Sequence, residues 1–242
     1  MNIPDSITSI DDYAFSFCTS LTGVEIGDSV TTIGDFAFSD CTSLTSVILP
    51  NSVTSIGNNA FEGCAALNNV TIPASVTTIG EGAFAECTSL TSINIPDGIT
   101  RLEKDVLRNT GLVSVEIPAS VNYIGTNAFR DCESLTEIKI LSPEFTIETN
   151  TFTNVAAPVP TMTIHVVNDE MKAYLESILS NDDKTYITVK GPKPVSNASE
   201  LETAVTEKYA IVNVAAGEYT FPSSVAAGVT IVCEKGTVFT GK

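Results

Sequence analysis

Apolar residues in this chain keep one beat through residue 152. Ile10, Ile33, Ile56 and Ile79 are each 23 residues apart, as are Phe15, Phe38, Phe61 and Phe84, and Leu21, Leu44, Leu67 and Leu90. Leu102, Ile124 and Ile147, then Leu107, Phe129 and Phe152, then Leu112 and Leu135 carry the three rows on. A single deletion interrupts them, where Arg108-Asn-Thr-Gly-Leu112 replaces the Ala85-Glu-Cys-Thr-Ser-Leu90 of the preceding unit. A fixed period of this length is the mark of stacked structural repeats, and about seven units fit the stretch.

Within a unit, Val24 and Ile26 alternate with Glu25 as in a strand with one buried face. Pro4, Pro50, Pro73, Pro96 and Pro118 follow that strand and end it, because proline has no N–H for a ladder. A second apolar pair, such as Val53 and Ile56, leads to Gly57. The residues after it, Asn58-Asn59-Ala60-Phe61, predict one helical turn that inserts Phe into the core, with Gly34, Gly57, Gly80 and Gly125 relieving steric limits just before it. One unit cannot bury its apolar side alone, so the expected fold is an α/β solenoid of short parallel strands and one-turn helices whose ends need caps.

The units LPNSVTSIGNNAFEGCAALNNV (residues 49–70) and IPASVTTIGEGAFAECTSLTSI (residues 72–93) resemble the BspA-type leucine-rich repeats of bacterial and protist surface proteins. Leu67, Val70 and Ile72 match the strand motif of that repeat. Its usual Asn or Cys after the strand is here Ser6, Ser29, Ser52, Ser75 and Ser120, with Gly98 the exception. A hydroxyl row at that place is expected to satisfy backbone groups at the turn. The resemblance implies a curved solenoid with a parallel sheet on one face, roles in adhesion and protein binding, and no catalytic residues.

The period fails after Phe152, and three regions are expected: a repeat solenoid over 1–155, a cap over 156–191 and a β-rich segment over 192–242. The cap reads strand (161–167), helix (169–179) and strand (186–189), with Met171, Tyr174, Leu175 and Ile178 on one helical face and Asn168 or Asp169 as N-cap. It resembles the closing unit that often follows such repeats. After Gly191-Pro-Lys-Pro194, a short helix over 198–205 and strands within 210–221 and 229–241 resemble the opening coil of a pectate-lyase-like right-handed β-helix. The Asp and Arg set that a lyase needs is missing from this stretch.

Composition narrows the function. With 43% hydrophobic and 17% charged residues the chain can bury a core, and no apolar run reaches the roughly 20 residues that span a bilayer. Met1 leads straight into repeat-like sequence, without the basic and apolar stretches of a signal peptide. Residues 1 to 100 hold eleven acids and no Lys or Arg, so −11 of the net −17 lies there and −6 over the rest. Phosphate recognition needs clustered bases, so nucleic acid is excluded as a partner. An acidic coat that keeps a long molecule soluble is the simpler reading of the charge.

No cofactor or metal site is read, and no catalytic one. Cys18, Cys41, Cys64, Cys87 and Cys132 share one repeat position, with Thr110 in the fifth unit, and their spacing is not that of metal ligands. Coils about 4.8 Å apart bring neighbouring cysteines close, but parallel Cβ vectors orient the sulfurs poorly for disulfides. A buried, inert thiol ladder is expected, and Cys233 receives the same reading. The single histidine, His165, is expected as an exposed strand residue; without it no Ser-His-Asp or Cys-His set is complete. Asp11-Asp12 and Asp182-Asp183 read as solvated loop charges, and Asn197-Ala-Ser199 matches a glycosylation sequon.

The expected function is a protein-binding or adhesion module, outside the cell or on its surface, for a protein or glycan ligand. The predicted contact surface is the outward strand positions: Glu25, Ser46 and Ile48, Asn69 and Thr71, Ser92 and Asn94, Ser114 and Glu116, Glu137 and Lys139. Small polar side chains there suit a broad contact rather than a deep pocket. The alternative is a structural part of a larger assembly, such as a phage virion fibre or decoration protein on the virion surface, forming a homo-oligomer through 192–242.

Overall fold

The computed structural model describes residues 1–155, 162–179, 187–197, 200–201, 204, 211–220, 222, 229–233 and 237–240. Asp182-Asp183, Ser199 of the sequon and most of the helix expected over 198–205 lie outside these residues.

Each coil of the solenoid has two strand walls and one wall of turns. β1 (Asn2–Ile3), β3 (Gly23–Ile26), β5 (Ser46–Ile48) and β7 (Asn69–Thr71) form the first parallel ladder, in which Gly23, Ser46 and Asn69 share one register row. β2 (Ser9–Ile10), β4 (Thr32–Ile33), β6 (Ser55–Ile56) and β8 (Thr78–Ile79) form the second. Later coils resume the pattern. β9 (Arg101–Leu102), β11 (Tyr123–Ile124) and β13 (Thr146–Ile147) continue the second wall. β10 (Ser114–Ile117), β12 (Glu137–Ile140), β14 (Met162–Val166) and β15 (Ile187–Lys190) continue the first.

The period-23 rows fill the interior. Phe38, Phe61, Phe84 and Phe129 are fully buried, and the rings from Phe15 to Phe84 stack at centroid spacings of 5.1, 5.3 and 5.5 Å. Such a stack is an offset arrangement that aromatic quadrupoles favour, and it repeats at the spacing of the coils.

The third wall is built differently from the expected helical turn. It is a run of turns in which backbone donors alternate in direction. Ala14, Ser16 and Cys18 donate N–H groups three residues back, while Tyr13, Phe15 and Phe17 donate across to Asp35, Ala37 and Ser39 of the next coil at 2.8 to 2.9 Å. A regular helix would direct all these donors along its own axis. Here half of them join coil to coil. The price is two left-handed residues per coil, one in the row Tyr13, Phe36, Asn59, Gly82, Asp105, Asn127 and Asn150, the other in the row Phe17, Asp40, Gly63, Glu86, Asn109, Asp131 and Asn154. Asn, Asp and Gly dominate these rows because they tolerate that conformation best.

The Gly34, Gly57 and Gly80 row serves another purpose. None of the three has positive φ, but a Cβ at Gly57 would lie 2.5 Å from Asp35 Oδ1 and 2.7 Å from Asp35 N in the coil before. Close approach between coils therefore excludes a side chain. The hydroxyl row acts as expected in part: Ser52 and Ser75 donate to the Val30 and Val53 carbonyls at 2.6 and 2.7 Å, whereas the buried Ser120 Oγ has no partner.

Both ladders stop at one boundary. β7 and β10 flank residues 92–95, which form no strand, and β8 does not pair with β9. Coils remain joined there along the turn wall, where Gly82, Phe84 and Glu86 donate to Lys104, Val106 and Arg108 at 2.8 to 3.0 Å.

The helix α1 (Asp169–Ile178) lies between β14 and β15, with Asn168 as its N-cap, accepting from the Met171 N–H at 2.7 Å. Met171 and Leu175 are buried in the same core as the repeats, Tyr174 is half-buried, and Ile178 is exposed. Beyond it, β16 (Lys193–Val195), β17 (Ile211–Val214) and β19 (Thr230–Cys233) form a parallel sheet, and β18 (Gly217–Thr220) pairs with β20 (Thr237–Thr240). Val195, Leu201, Val212, Val214 and Tyr219 make a separate small core.

Candidate interaction surface

The outward side chains of β3, β5 and β7 form two register rows. One runs Gly23, Ser46, Asn69, and the other Glu25, Ile48, Thr71. All but the half-buried Gly23 are exposed, because alternation sends Val24, Val47 and Val70 inward. Ile48 stands out: 63% of it faces solvent, with Glu25 and Thr71 as register neighbours.

The predicted surface does not continue evenly. Ser92 is exposed, but the Asn94 carboxamide is spent within the chain, accepting from the Ile72 N–H at 2.9 Å and donating to the Ile72 carbonyl at 2.7 Å. Ser114 and Glu116 are exposed and Glu137 is half-buried. Lys139, expected to face solvent, is buried at 8% exposure, and His165, also expected outside, is buried at 9%. The parallel register sets Lys139 between Glu116 and His165. His165 lies between Lys139 and Lys190 on the adjacent strands, and long flanking side chains shield the ring from water. Burial, with the charges of Lys190 and Lys139, pushes its pKa down to about 4, so the imidazole is neutral at pH 7 and meets Glu137 Oε1 at 3.4 Å as a polar contact. The sequence reading missed this because a strand position has no fixed exposure until its neighbours are known.

The cysteines form the expected ladder in the middle coils. Cys41, Cys64, Cys87 and Cys132 are fully buried and free. Each thiol donates to the carbonyl of Phe15, Phe38, Phe61 or Leu107 in the preceding coil, at 3.1 to 3.2 Å. Burial pushes Cys41 to about 11 and Cys64 to about 12, which makes them poor nucleophiles. Cys18 and Cys233 depart from the expectation and are exposed. Cys18 belongs to the first described coil and Cys233 to β19, at the edge of its sheet, so neither is covered on both sides.

Among the described residues, no group of three or more His, Cys, Asp or Glu side chains is placed to hold a metal ion, and no helix is long and apolar enough to cross a membrane.

The sequence pattern of a family described as the BspA type leucine rich repeat region matches residues 1–110 and 54–175, in six copies. Comparison with curated proteins gives no match. Among solved structures, a leucine-rich repeat protein from Bacteroides ovatus is 19% identical, over 100% of this chain and 83% of that one, with a TM-score of 0.46. A leucine rich cell surface protein from Faecalibacterium prausnitzii is 20% identical over 98% of this chain and 84% of that one, with a TM-score of 0.47. The pneumococcal vaccine antigen PcpA is 26% identical over 78% of this chain, with a TM-score of 0.50; the match spans 41% of PcpA.

Proposed function

Because this chain belongs to the BspA-type leucine-rich-repeat family, we propose that it is a non-enzymatic binding module of a microbial surface protein, meeting a protein or glycan through the outer face of β3, β5 and β7. The observation that carries this reading is the exposed Ile48, an apolar centre rimmed by Glu25, Ser46, Asn69 and Thr71. Interfaces take this form, with an apolar middle and a polar rim. The likeness to PcpA, an antigen, supports a place on the cell surface.

The test is biolayer interferometry of the purified chain against extracellular-matrix proteins, mucin and intact bacterial cells. A partner is expected whose affinity falls at least about tenfold with Ile48→Lys, as for an interface centre, and not with Thr146→Lys on the second wall. Equal loss from both substitutions, or turnover of any polysaccharide by the chain alone, would overturn the reading.

A further inference from the structure

Cross-coil hydrogen bonds recur at fixed places in the solenoid, and three of them lapse at one junction, between the coil of β7 and β8 and the coil of residues 92–95 and β9. On the first wall Asn68 donates its N–H to the Thr45 carbonyl one coil back, and Val113 to that of Thr91, but Thr91 donates to none. On the second wall Thr77 and Gly80 donate to Thr54 and Ile56, and Asn122 and Gly125 to Thr100 and Leu102, but Thr100 and Glu103 donate to none. The core loosens at the same place. Ile93 and Ile95 are half-buried, whereas Val70 and Ile72 before them and Val115 and Ile117 after them are at most 4% exposed.

The turn wall stays shut across this junction. Gly82, Phe84 and Glu86 keep their cross-coil bonds, and Arg108 reaches back to Glu86 at 3.0 Å and to Glu62 at 3.7 Å. At the adjoining corner a Cβ on Gly111 would collide with the Thr88 carbonyl. The gap is therefore a wedge, closed on one wall and open on the other two.

We infer that this junction is a hinge, at which the coils up to β8 swing against those that follow, with the turn wall as pivot and Asn94 as latch. In the open position just described, Asn94 Oδ1 holds the Ile72 N–H at 2.9 Å, the donor that a paired strand at 92–95 would take with its backbone. Closing gives partners to the N–H groups of Thr91, Thr100 and Glu103 and carries Ile93 and Ile95 into the core. Each position satisfies groups that the other leaves open, which makes the element two-state. The hinge does not rest on the contact surface proposed above, but it sets the angle between β3–β7 and β10–β15 on that wall. A partner touching both would select one position.

The experiment is amide hydrogen exchange followed by NMR on the full chain, unsubstituted and as Asn94→Thr. That substitution removes the latch and places at 94 a strand former, the residue type of Thr71 one period before. In the unsubstituted chain the amides of Thr91, Thr100 and Glu103 are expected to be at least about tenfold less protected than their counterparts Asn68, Thr77 and Gly80. They are also expected to share one protection factor within about threefold, because one motion exposes all three; this readout does not depend on a variant folding. Asn94→Thr is expected to raise the protection of all three at least about tenfold, on the second wall as well as the first, and to leave Gly82, Phe84 and Glu86 unchanged. The proposal is overturned if the three amides are as protected as their counterparts or differ widely among themselves. It is overturned equally if Asn94→Thr alters only Ile72 and its neighbours, or if it also exposes Gly82, Phe84 and Glu86.

Discussion

Asn94 stands in for a strand: its side-chain amide makes with Ile72 the two-way pairing that a neighbouring backbone would otherwise make. It does so at the boundary where both ladders stop, between coils that are otherwise joined along the turn wall.

Removing that amide leaves the Ile72 N–H and carbonyl short of partners beside a buried side chain. Asn94→Ala is expected to lower stability by about 1 to 3 kcal/mol, and Asn94→Asp to cost at least as much, since a carboxylate accepts but cannot donate to the carbonyl. Urea unfolding of the two variants checks this. Unchanged midpoints would mean that water replaces the amide.

The glycine row and the strand glycines should respond in opposite ways. A Cβ at Gly57 runs into Asp35, whereas one at Gly23 meets nothing closer than Ser46 Oγ at 3.7 Å. Gly57→Ala is expected to cost about 1 to 3 kcal/mol through overpacking, and Gly23→Ala to be neutral or slightly stabilising by thermal melting.

Thiol reactivity should divide the six cysteines by position. With a disulfide reagent at pH 8, Cys18 and Cys233 are expected to react at once, and Cys41, Cys64, Cys87 and Cys132 only as the chain unfolds. The pKa shifts set a pH trend as well. Cys64 ionises near 9.0 when unfolded but near 12 when folded, so its protonated form favours the native state, and stability falls as pH rises from about 9 towards 12. Cys64→Ala should flatten that fall.

His165 works at the other end of the scale. Its folded pKa of about 4 lies below the ordinary 6.5, so the unfolded chain takes up the proton first, and stability falls as pH drops from 6.5 towards 4. The imidazole resonances in an NMR titration are expected to stay neutral through pH 5. His165→Gln should remove this part of the acid dependence.

The sequence by itself determined the repeat, the buried rows of Ile, Phe and Leu and a row of thiols, and it narrowed the N-cap of α1 to Asn168 or Asp169. Each is a signal that recurs at a fixed spacing or sits within a few residues of what it controls, so one coil's sequence contains it. The tertiary structure decided the rest. Whether His165 faces water depends on Lys190, a residue 25 positions beyond it that only the register brings alongside, and Lys139 lies in the same way between Glu116 and His165. Whether Asn94 offers its amide to a partner depends on Ile72, which has no pairing strand at 92–95. The turn wall likewise alternates its donors because the next coil supplies carbonyls at Asp35, Ala37 and Ser39, where the local sequence favoured a helical turn. In each case a long-range contact, set by how closely coils approach, outweighs the local preference of the residue.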